Sequence, residues 1–170
     1  RKLVDVEGAI ALSEGKLSLD PATVWVDAFA LEALLDAEPV QVERALALAR
    51  GDFLADEAAL PWAVRTRDRL KSRLIRAVLA EAEQREARGD YAGARPLYEA
   101  ALERDNLAEA VYRRLMVCQR ELGDAAGAML TYRRCRELLS IVLGRAPAAE
   151  TEAIRQTLES ACHLPAGTTP

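Results

Sequence analysis

Four arginines recur at helical spacing in the middle of the chain. At about 100° per residue they fall within an arc of about 80°, so a helix would present them as one positive stripe about three turns long. Guanidinium groups in such a row can bind the phosphates of DNA or of a nucleotide. The alternative is a solvated or salt-bridged helix face, paired with the acidic N-terminal residues. The candidate basic stripe consists of Arg65, Arg69, Arg73 and Arg76.

The charge around this stripe is unevenly distributed. Residues 1–60 carry 5 basic and 12 acidic side chains, residues 61–76 carry 6 and 1, and residues 77–170 carry 12 and 14. The net charge of the whole chain is −4, which is unlike that of a nucleic-acid-binding domain. One helix, which carries the candidate basic stripe, has the charge of a nucleic-acid-binding element.

Other residues suited to catalysis or metal binding are sparse. His163 stands alone, without a carboxylate or hydroxyl partner at a recognisable spacing. The sequence contains no phosphate-binding loop, dinucleotide fingerprint, HExxH or GxSxG motif. Cys118, Cys135 and Cys162 lack CxxC spacing, which argues against a zinc site and a disulfide framework. We predict no catalytic residues, no cofactor and no metal site, and a reducing compartment.

The length and the composition predict a protein that buries a core. The chain has 170 residues, of which 51% are hydrophobic, so it is most simply one domain with additions at its ends. Its apolar residues never form the run of roughly 18 that a membrane helix requires, and no secretory segment opens it. We expect a soluble cytoplasmic protein without a membrane partner. Because the sequence begins at Arg1 and not at methionine, we expect a fragment of a longer protein.

The first residues predict a short β-hairpin. Ile10 and Leu12 alternate with polar or small residues before the turn at residues 13–16, and Leu17 and Leu19 alternate after it. Two strands alone are marginally stable. The hairpin therefore belongs to a neighbouring domain or packs against the helices that follow.

After residue 21 the apolar period changes to that of helices, and we predict an all-α fold. Asp27 is placed to cap the first helix, and Trp25 and Trp62 are interpreted as packing anchors. A second helix ends at Gly51, and a long helix begins at Pro61. We predict a flexible tail at residues 161–170. The long helix runs to residue 88, and the later helices are predicted at 92–104, 108–122, 125–141 and 149–160.

Two segments 34 residues apart share a pattern. GDYAGARPLYEAALERD begins at Gly89, and GDAAGAMLTYRRCRELL begins at Gly123. A period of 34 in a helical chain is the signature of the tetratricopeptide repeat, whose antiparallel helix pairs hide their apolar faces by stacking. We predict a tetratricopeptide-like, right-handed stack of antiparallel helix pairs. The flanking helices must complete it, since two repeats are too few.

Recurring positions in the two repeats have predicted packing roles. A glycine able to adopt positive φ ends one helix of each pair. A small residue lies where the two helices approach, a tyrosine fills the space between units, and a second small residue follows it. These repeat-packing positions are Gly89, Ala94, Tyr98 and Ala101 in the first repeat, and Gly123, Ala128, Tyr132 and Cys135 in the second.

The same register predicts which side chains line the concave groove of the stack. Their mixed charges suit a peptide or a partner helix, and the alternative is ordinary polar surface. The candidate partner groove consists of Arg113, Val117, Arg120, Glu83 and Glu86.

Five blocks, in this order, resemble the bacterial transcriptional activator domain of regulators of the antibiotic-regulatory-protein (SARP) type. They are LSLDPATVWVDAFALEALL, ALALARGDFLADE, PWAVRTRDRLKSRL, the two-repeat segment from Gly89, and LGRAPAAET. The resemblance covers roughly residues 17–158. The sequence departs from the family pattern at Ala49, where an aromatic residue is common, and at Ala148, where a serine is usual.

The resemblance implies a function and a domain organisation. In such regulators a winged helix-turn-helix precedes this domain, so residues 1–19 would be the end of its recognition helix and its wing, and residues 20–160 the activator domain. The expected role is regulation, oligomerisation and protein interaction beside the DNA-binding domain. The implied partners are that domain, DNA through it, a second copy of the chain, and RNA polymerase or another protein.

Two other functions remain open at this point. One is a tetratricopeptide-type adaptor that binds a peptide or protein through the candidate partner groove and has no direct role at DNA. The other is a sensor that holds an anionic signal molecule on the candidate basic stripe.

Overall fold

A computed structural model describes residues 8–20, 22–57 and 60–162. These residues form two strands, seven α-helices and one short 3-10 helix, which confirms the mostly helical prediction and the hairpin. The strands are β1 (Ile10–Ser13) and β2 (Lys16–Leu19). The helices are α1 (Asp27–Asp36), α2 (Val42–Leu48), α3 (Pro61–Ala87), α4 (Tyr91–Arg104), α5 (Glu109–Glu121), α6 (Ala125–Leu143) and α7 (Ala149–Cys162), and the 3-10 helix is Ala55–Glu57.

The chain forms two compact units that divide between Leu74 and Ile75. Helix α3 contributes residues to both. The boundaries expected from the resemblance, at residues 19 and 160, stay a prediction. The start of the expected recognition-helix remnant (residues 1–7), His163 and most of the predicted tail lie outside the described residues.

The hairpin turn is formed by two residues with positive φ. Glu14 has φ of 52° and Gly15 has φ of 74°, a pair typical of a two-residue hairpin turn that matches the twist of the strands. Ile10 pairs with Leu19, and Leu12 pairs with Leu17. Since side chains alternate across a strand, these four apolar residues share one face of the hairpin.

In the first unit, α1 and α2 pack together through buried aliphatic side chains. Leu31 and Leu35 of α1 are buried, as are Val42 and Ala45 of α2. The predicted cap is wrong in detail: Val26 occupies the cap position, and Asp27 is the first helical residue, with its Oδ1 accepting from the Ala28 N–H at 2.7 Å. A negative charge there still favours the helix N-terminus.

The predicted packing role of the tryptophans is wrong for Trp25, which is 72% exposed. Trp25 lies in an irregular connection ahead of α1, between Val24 and Val26, which are both partly buried. In extended chain successive side chains point to opposite sides, so the valines turn inward and the tryptophan outward. Trp62 is also mostly exposed, but its ring meets that of Phe53 edge-on with centroids 6.5 Å apart.

In the second unit, neighbouring helices pack along the chain. Helix α4 packs on α5, α5 packs on α6, and both α5 and α6 contact α7. Met116, Ala128, Tyr132 and Leu158 form a buried cluster that joins the last three helices. The non-glycine repeat-packing positions are all buried, namely Ala94, Tyr98, Ala101, Ala128, Tyr132 and Cys135.

The same glycine turn ends α3 and α5. Gly89 has φ of 78° and Gly123 has φ of 76°, which confirms the predicted left-handed positions. After each glycine the next N–H reaches back to a carbonyl of the preceding helix, from Asp90 to Arg85 at 2.9 Å and from Asp124 to Gln119 at 2.8 Å. This bonding pattern satisfies carbonyls that a helix end otherwise leaves unpaired.

The residue after each turn glycine caps the next helix. The side chain of Asp90 accepts from the N–H of Gly93 at 2.9 Å, and that of Asp124 accepts from Gly127 at 2.8 Å. A Cβ on Gly93 would lie 2.2 Å from the Asp90 carboxylate, and one on Gly127 would lie 2.3 Å from that of Asp124. The repeated Asp and Gly are therefore one capping arrangement used twice.

Within residues 8–20, 22–57 and 60–162, no helix combines the length and the apolar content that crossing a bilayer requires. Across the same residues, no group of three or more His, Cys, Asp and Glu side chains is arranged to hold a metal ion.

Replacing Asp124 with alanine should lower the free energy of unfolding by about 1–2 kcal/mol, because α6 loses its cap. Asp124→Asn keeps the acceptor but weakens the contact with Arg95, 3.2 Å away, and should cost less than about 1 kcal/mol. Urea denaturation followed by circular dichroism measures both. Equal stability of Asp124→Ala and the wild type would contradict a contribution from the cap.

Candidate functional site

Two arginines of the candidate basic stripe form ion pairs within the first unit. The Nη2 atom of Arg69 lies 2.8 Å from Oε1 of Glu32. Arg73 lies 3.7 Å from the same oxygen and also binds Asp36. Both acids belong to α1. Arg69 and Arg73 therefore match the alternative interpretation of the stripe, a salt-bridged helix face.

The other two stripe residues differ from these. Arg65 and Arg76 are exposed, and neither forms an ion pair with any residue that the structure describes. Sequence analysis missed a fifth arginine of α3: Arg67 donates to the carbonyls of Phe53 and Leu54 at 2.8 and 2.6 Å. Arg67 thereby fixes the connection between α2 and α3.

The acidic half of the candidate partner groove is held by an arginine that the sequence did not single out. Glu86 accepts from the Tyr98 hydroxyl at 2.6 Å and from Arg114 at 3.1 Å. Arg114 also reaches Glu83 at 3.4 Å. This cluster ties α3, α4 and α5 together. Burial raises the pKa of the Tyr98 phenol, and its hydrogen bond to Glu86 raises it further.

The basic side chains of the candidate partner groove bond to other residues than its acidic side chains do. Arg113 donates to the Thr151 hydroxyl at 3.3 Å, and Arg120 bonds its neighbour Glu121 at 2.8 Å. Val117 between them is partly buried. Within the described part of the chain, no ion pair joins Arg113 or Arg120 to Glu83 or Glu86.

A buried carboxylate joins α5 to the start of α7. The Glu109 residue is only 8% exposed, and its Oε1 accepts from the backbone N–H of Ala148 at 2.6 Å and from the Thr151 hydroxyl at 2.7 Å. Its Oε2 accepts from Arg145 at 3.0 Å. Ala148 precedes α7 and has no side-chain acceptor, so Glu109 supplies the cap from another helix.

The hydrogen bonds determine the charge state of Glu109. Burial by itself raises the pKa of this carboxyl, but the bonds from Thr151, from the Ala148 N–H and from Arg145 outweigh burial. The pKa of Glu109 is therefore lowered below its ordinary value, and the ionised form is the stable one in the folded protein.

Tyr132 is held in a similar way at the interface of α6 and α7. Its hydroxyl donates to Glu152, and the guanidinium groups of Arg136 and Arg155 lie 6.0 and 5.8 Å from the ring centroid. An open cavity of about 800 Å³ borders this tyrosine. It is lined by α6, by the turn at residues 144–147 and by Glu152.

The free thiols Cys118 and Cys135 are buried inside the second unit. Burial raises the pKa of each to about 11. Both stay protonated near neutral pH, and a protonated thiol is a poor nucleophile and metal ligand. They therefore serve as small packing residues.

Sequence reasoning missed Arg114, Glu109, Thr151 and Arg145. Their partners lie 28 to 42 residues away along the chain, from Glu86 to Arg114 and from Glu109 to Thr151. The signal present in the sequence was negative: Ala148, ahead of α7, has a side chain that cannot cap a helix.

Repeated glycine turns, capped helices and polar contacts between helices define a packed helical domain. The chain belongs to the bacterial transcriptional activator domain family, whose model matches residues 28–159. This is a family of regulatory domains, and it confirms the resemblance seen in the sequence. No curated protein and no solved structure matched the chain in the comparisons.

Replacing Glu86 with alanine should lower the free energy of unfolding by about 1–3 kcal/mol, because the buried hydroxyl of Tyr98 loses its acceptor. Glu83→Ala removes the same charge from an exposed position and should change stability by less than about 0.5 kcal/mol. Urea denaturation of both variants measures the difference. Equal losses would contradict the central role of Glu86.

Glu109→Gln should make the stability of the domain less dependent on pH. Since the pKa of Glu109 is lowered in the folded state, its stabilisation is complete above the ordinary value of about 4.5 and is lost as the pH falls below it. The gap in unfolding free energy between wild type and Glu109→Gln should therefore shrink from about pH 7 to about pH 3. Glu103→Gln, at an exposed site, controls for net charge. A gap that is independent of pH would refute the assignment.

Proposed function

We propose that this chain is the regulatory and protein-interaction part of a SARP-like bacterial transcriptional activator, working in the cytoplasm beside a winged-helix DNA-binding domain. The observation that carries the proposal is the family match over residues 28–159, with a β-hairpin ahead of it that ends at Leu19. In this assignment the DNA-binding domain reads the promoter, and the helices carry the regulatory contacts.

The exposure of the hairpin supports its assignment as a wing. Ile10, Leu12, Leu17 and Leu19 share one face, and all four are exposed. A two-stranded hairpin with an uncovered apolar face is unstable on its own. The helices of a winged-helix domain would cover this face.

We further propose that the second unit is a tetratricopeptide-type stack. The support is the recurrence of one turn and one cap 34 residues apart, at Gly89 with Asp90 and at Gly123 with Asp124. In this arrangement the second half of α3 pairs with α4, α5 pairs with α6, and α7 closes the stack. Such stacks act by offering a large surface to proteins. The partners would be a second copy of the chain and the transcription machinery.

The adaptor and the anion sensor are weaker candidates because four of their six candidate arginines already have partners. Arg113 is bonded to Thr151 and Arg120 to Glu121. Arg69 and Arg73 of the stripe are paired with α1. A ligand at either place would have to replace these contacts.

Deletion of residues 20–160 from the natural gene product tests the activator role. The truncated protein should still bind the promoter in a mobility-shift assay but should lose activation of a reporter gene. Undiminished activation by the truncated protein would refute the proposal.

The wing assignment has its own test in the same gene product. Changing Leu12 and Leu17 to lysine places charges on the apolar face and should weaken promoter binding at least about tenfold, since burying unpaired charges is costly. Changing Ala11 and Ser18, which pair on the opposite face, to lysine is the matched control. Equal effects of the two double variants would count against a covered apolar face.

A further inference from the structure

The outer face of α6 carries four side chains at a distinctive spacing. They follow one another at intervals of four, three and four residues, so they lie within an arc of about 60° on the helix. This is the spacing of the contact line of a coiled coil. We call this the α6 outer face, and it consists of Leu130, Arg134, Glu137 and Ile141.

The apolar members of this face are uncovered. Leu130 is 63% exposed and Ile141 is 74% exposed. Large aliphatic side chains in line on one helix face, with charges between them, are typical of an interaction surface. Within the described residues, Arg134 and Glu137 take part in no ion pair, although both are exposed.

The order of the four residues is symmetric along the helix. The midpoint of Leu130 and Ile141 lies between residues 135 and 136, and so does the midpoint of Arg134 and Glu137. When two copies of such a helix lie antiparallel about this point, Leu130 of each copy faces Ile141 of the other. Arg134 of each copy then faces Glu137 of the other.

This symmetry is what a two-fold interface between identical chains requires, because the same patch must be complementary to itself. In a parallel pair each residue would face its own copy, and two Arg134 side chains would repel each other. An unrelated partner would place no such constraint on the order of charges. The charge pattern therefore selects an antiparallel arrangement of two copies.

We propose that the α6 outer face binds a second copy of this chain, with the two α6 helices antiparallel. This proposal names the surface for the self-association that the proposed function includes. Only the use of the dimer in the cell rests on the proposed function. The aliphatic contacts supply the attraction, and the paired charges fix the register. Because one helix face is a small interface, the association is weak and appears only at high protein concentration.

Sedimentation velocity of the 170-residue chain between about 10 µM and about 1 mM tests the proposal. The wild type should shift from monomer to dimer as concentration rises. Arg134→Glu and Glu137→Arg should each stay monomeric, because each homodimer would face like charges. An equimolar mixture of these two variants should form a heterodimer, since the two opposed pairs become complementary again.

Arg65→Glu is the matched control, because it makes the same charge change at an exposed arginine of α3 that forms no ion pair within the described residues. It should dimerise as the wild type does, and circular dichroism verifies that every variant is folded. A wild type that stays monomeric throughout, dimers that survive both charge reversals, or a mixture that stays monomeric would each overturn the proposal. None of these results would affect the promoter experiments, so failure here is distinguishable from failure of the activator role.

Discussion

The second unit depends on a turn in which one helix ends and the next begins within a few residues. A helix pair buries its apolar stripes only if the chain reverses tightly, and the left-handed glycines at Gly89 and Gly123 allow this. The following aspartates then start the next helix at once by capping it. With the turn geometry constrained in this way, Tyr98 and Tyr132 occupy equivalent buried positions on α4 and α6.

The reversal between α6 and α7 is solved differently. Gly144 adopts a left-handed conformation with φ of 61°, but α7 has no capping side chain of its own. The carboxylate of Glu109 takes over this role from α5 and adds contacts with Thr151 and Arg145. Helix α7 is thus held at its N-terminus as well as through its apolar face. A network of charged side chains takes the place of a local cap.

Local signals made much of the fold predictable. The glycines, the prolines and the apolar periods marked the helices and the hairpin, because caps, turns and amphipathic stripes are determined by neighbours in sequence. The exposure of Trp25 and the bonding of Arg67 and Arg114 were not predictable. Each depends on which element lies opposite, and that is decided by tertiary packing. For the same reason the stripe arginines looked alike in sequence but differ in structure, where α1 pairs with two of them.

The burial of Cys118 and Cys135 limits the kinds of signal that these two positions can receive. Peroxides and electrophiles attack the thiolate, and a thiol with a pKa of about 11 is almost entirely protonated in a neutral cell. Because they are buried and protonated, these two thiols are poorly suited to sense oxidants or electrophiles.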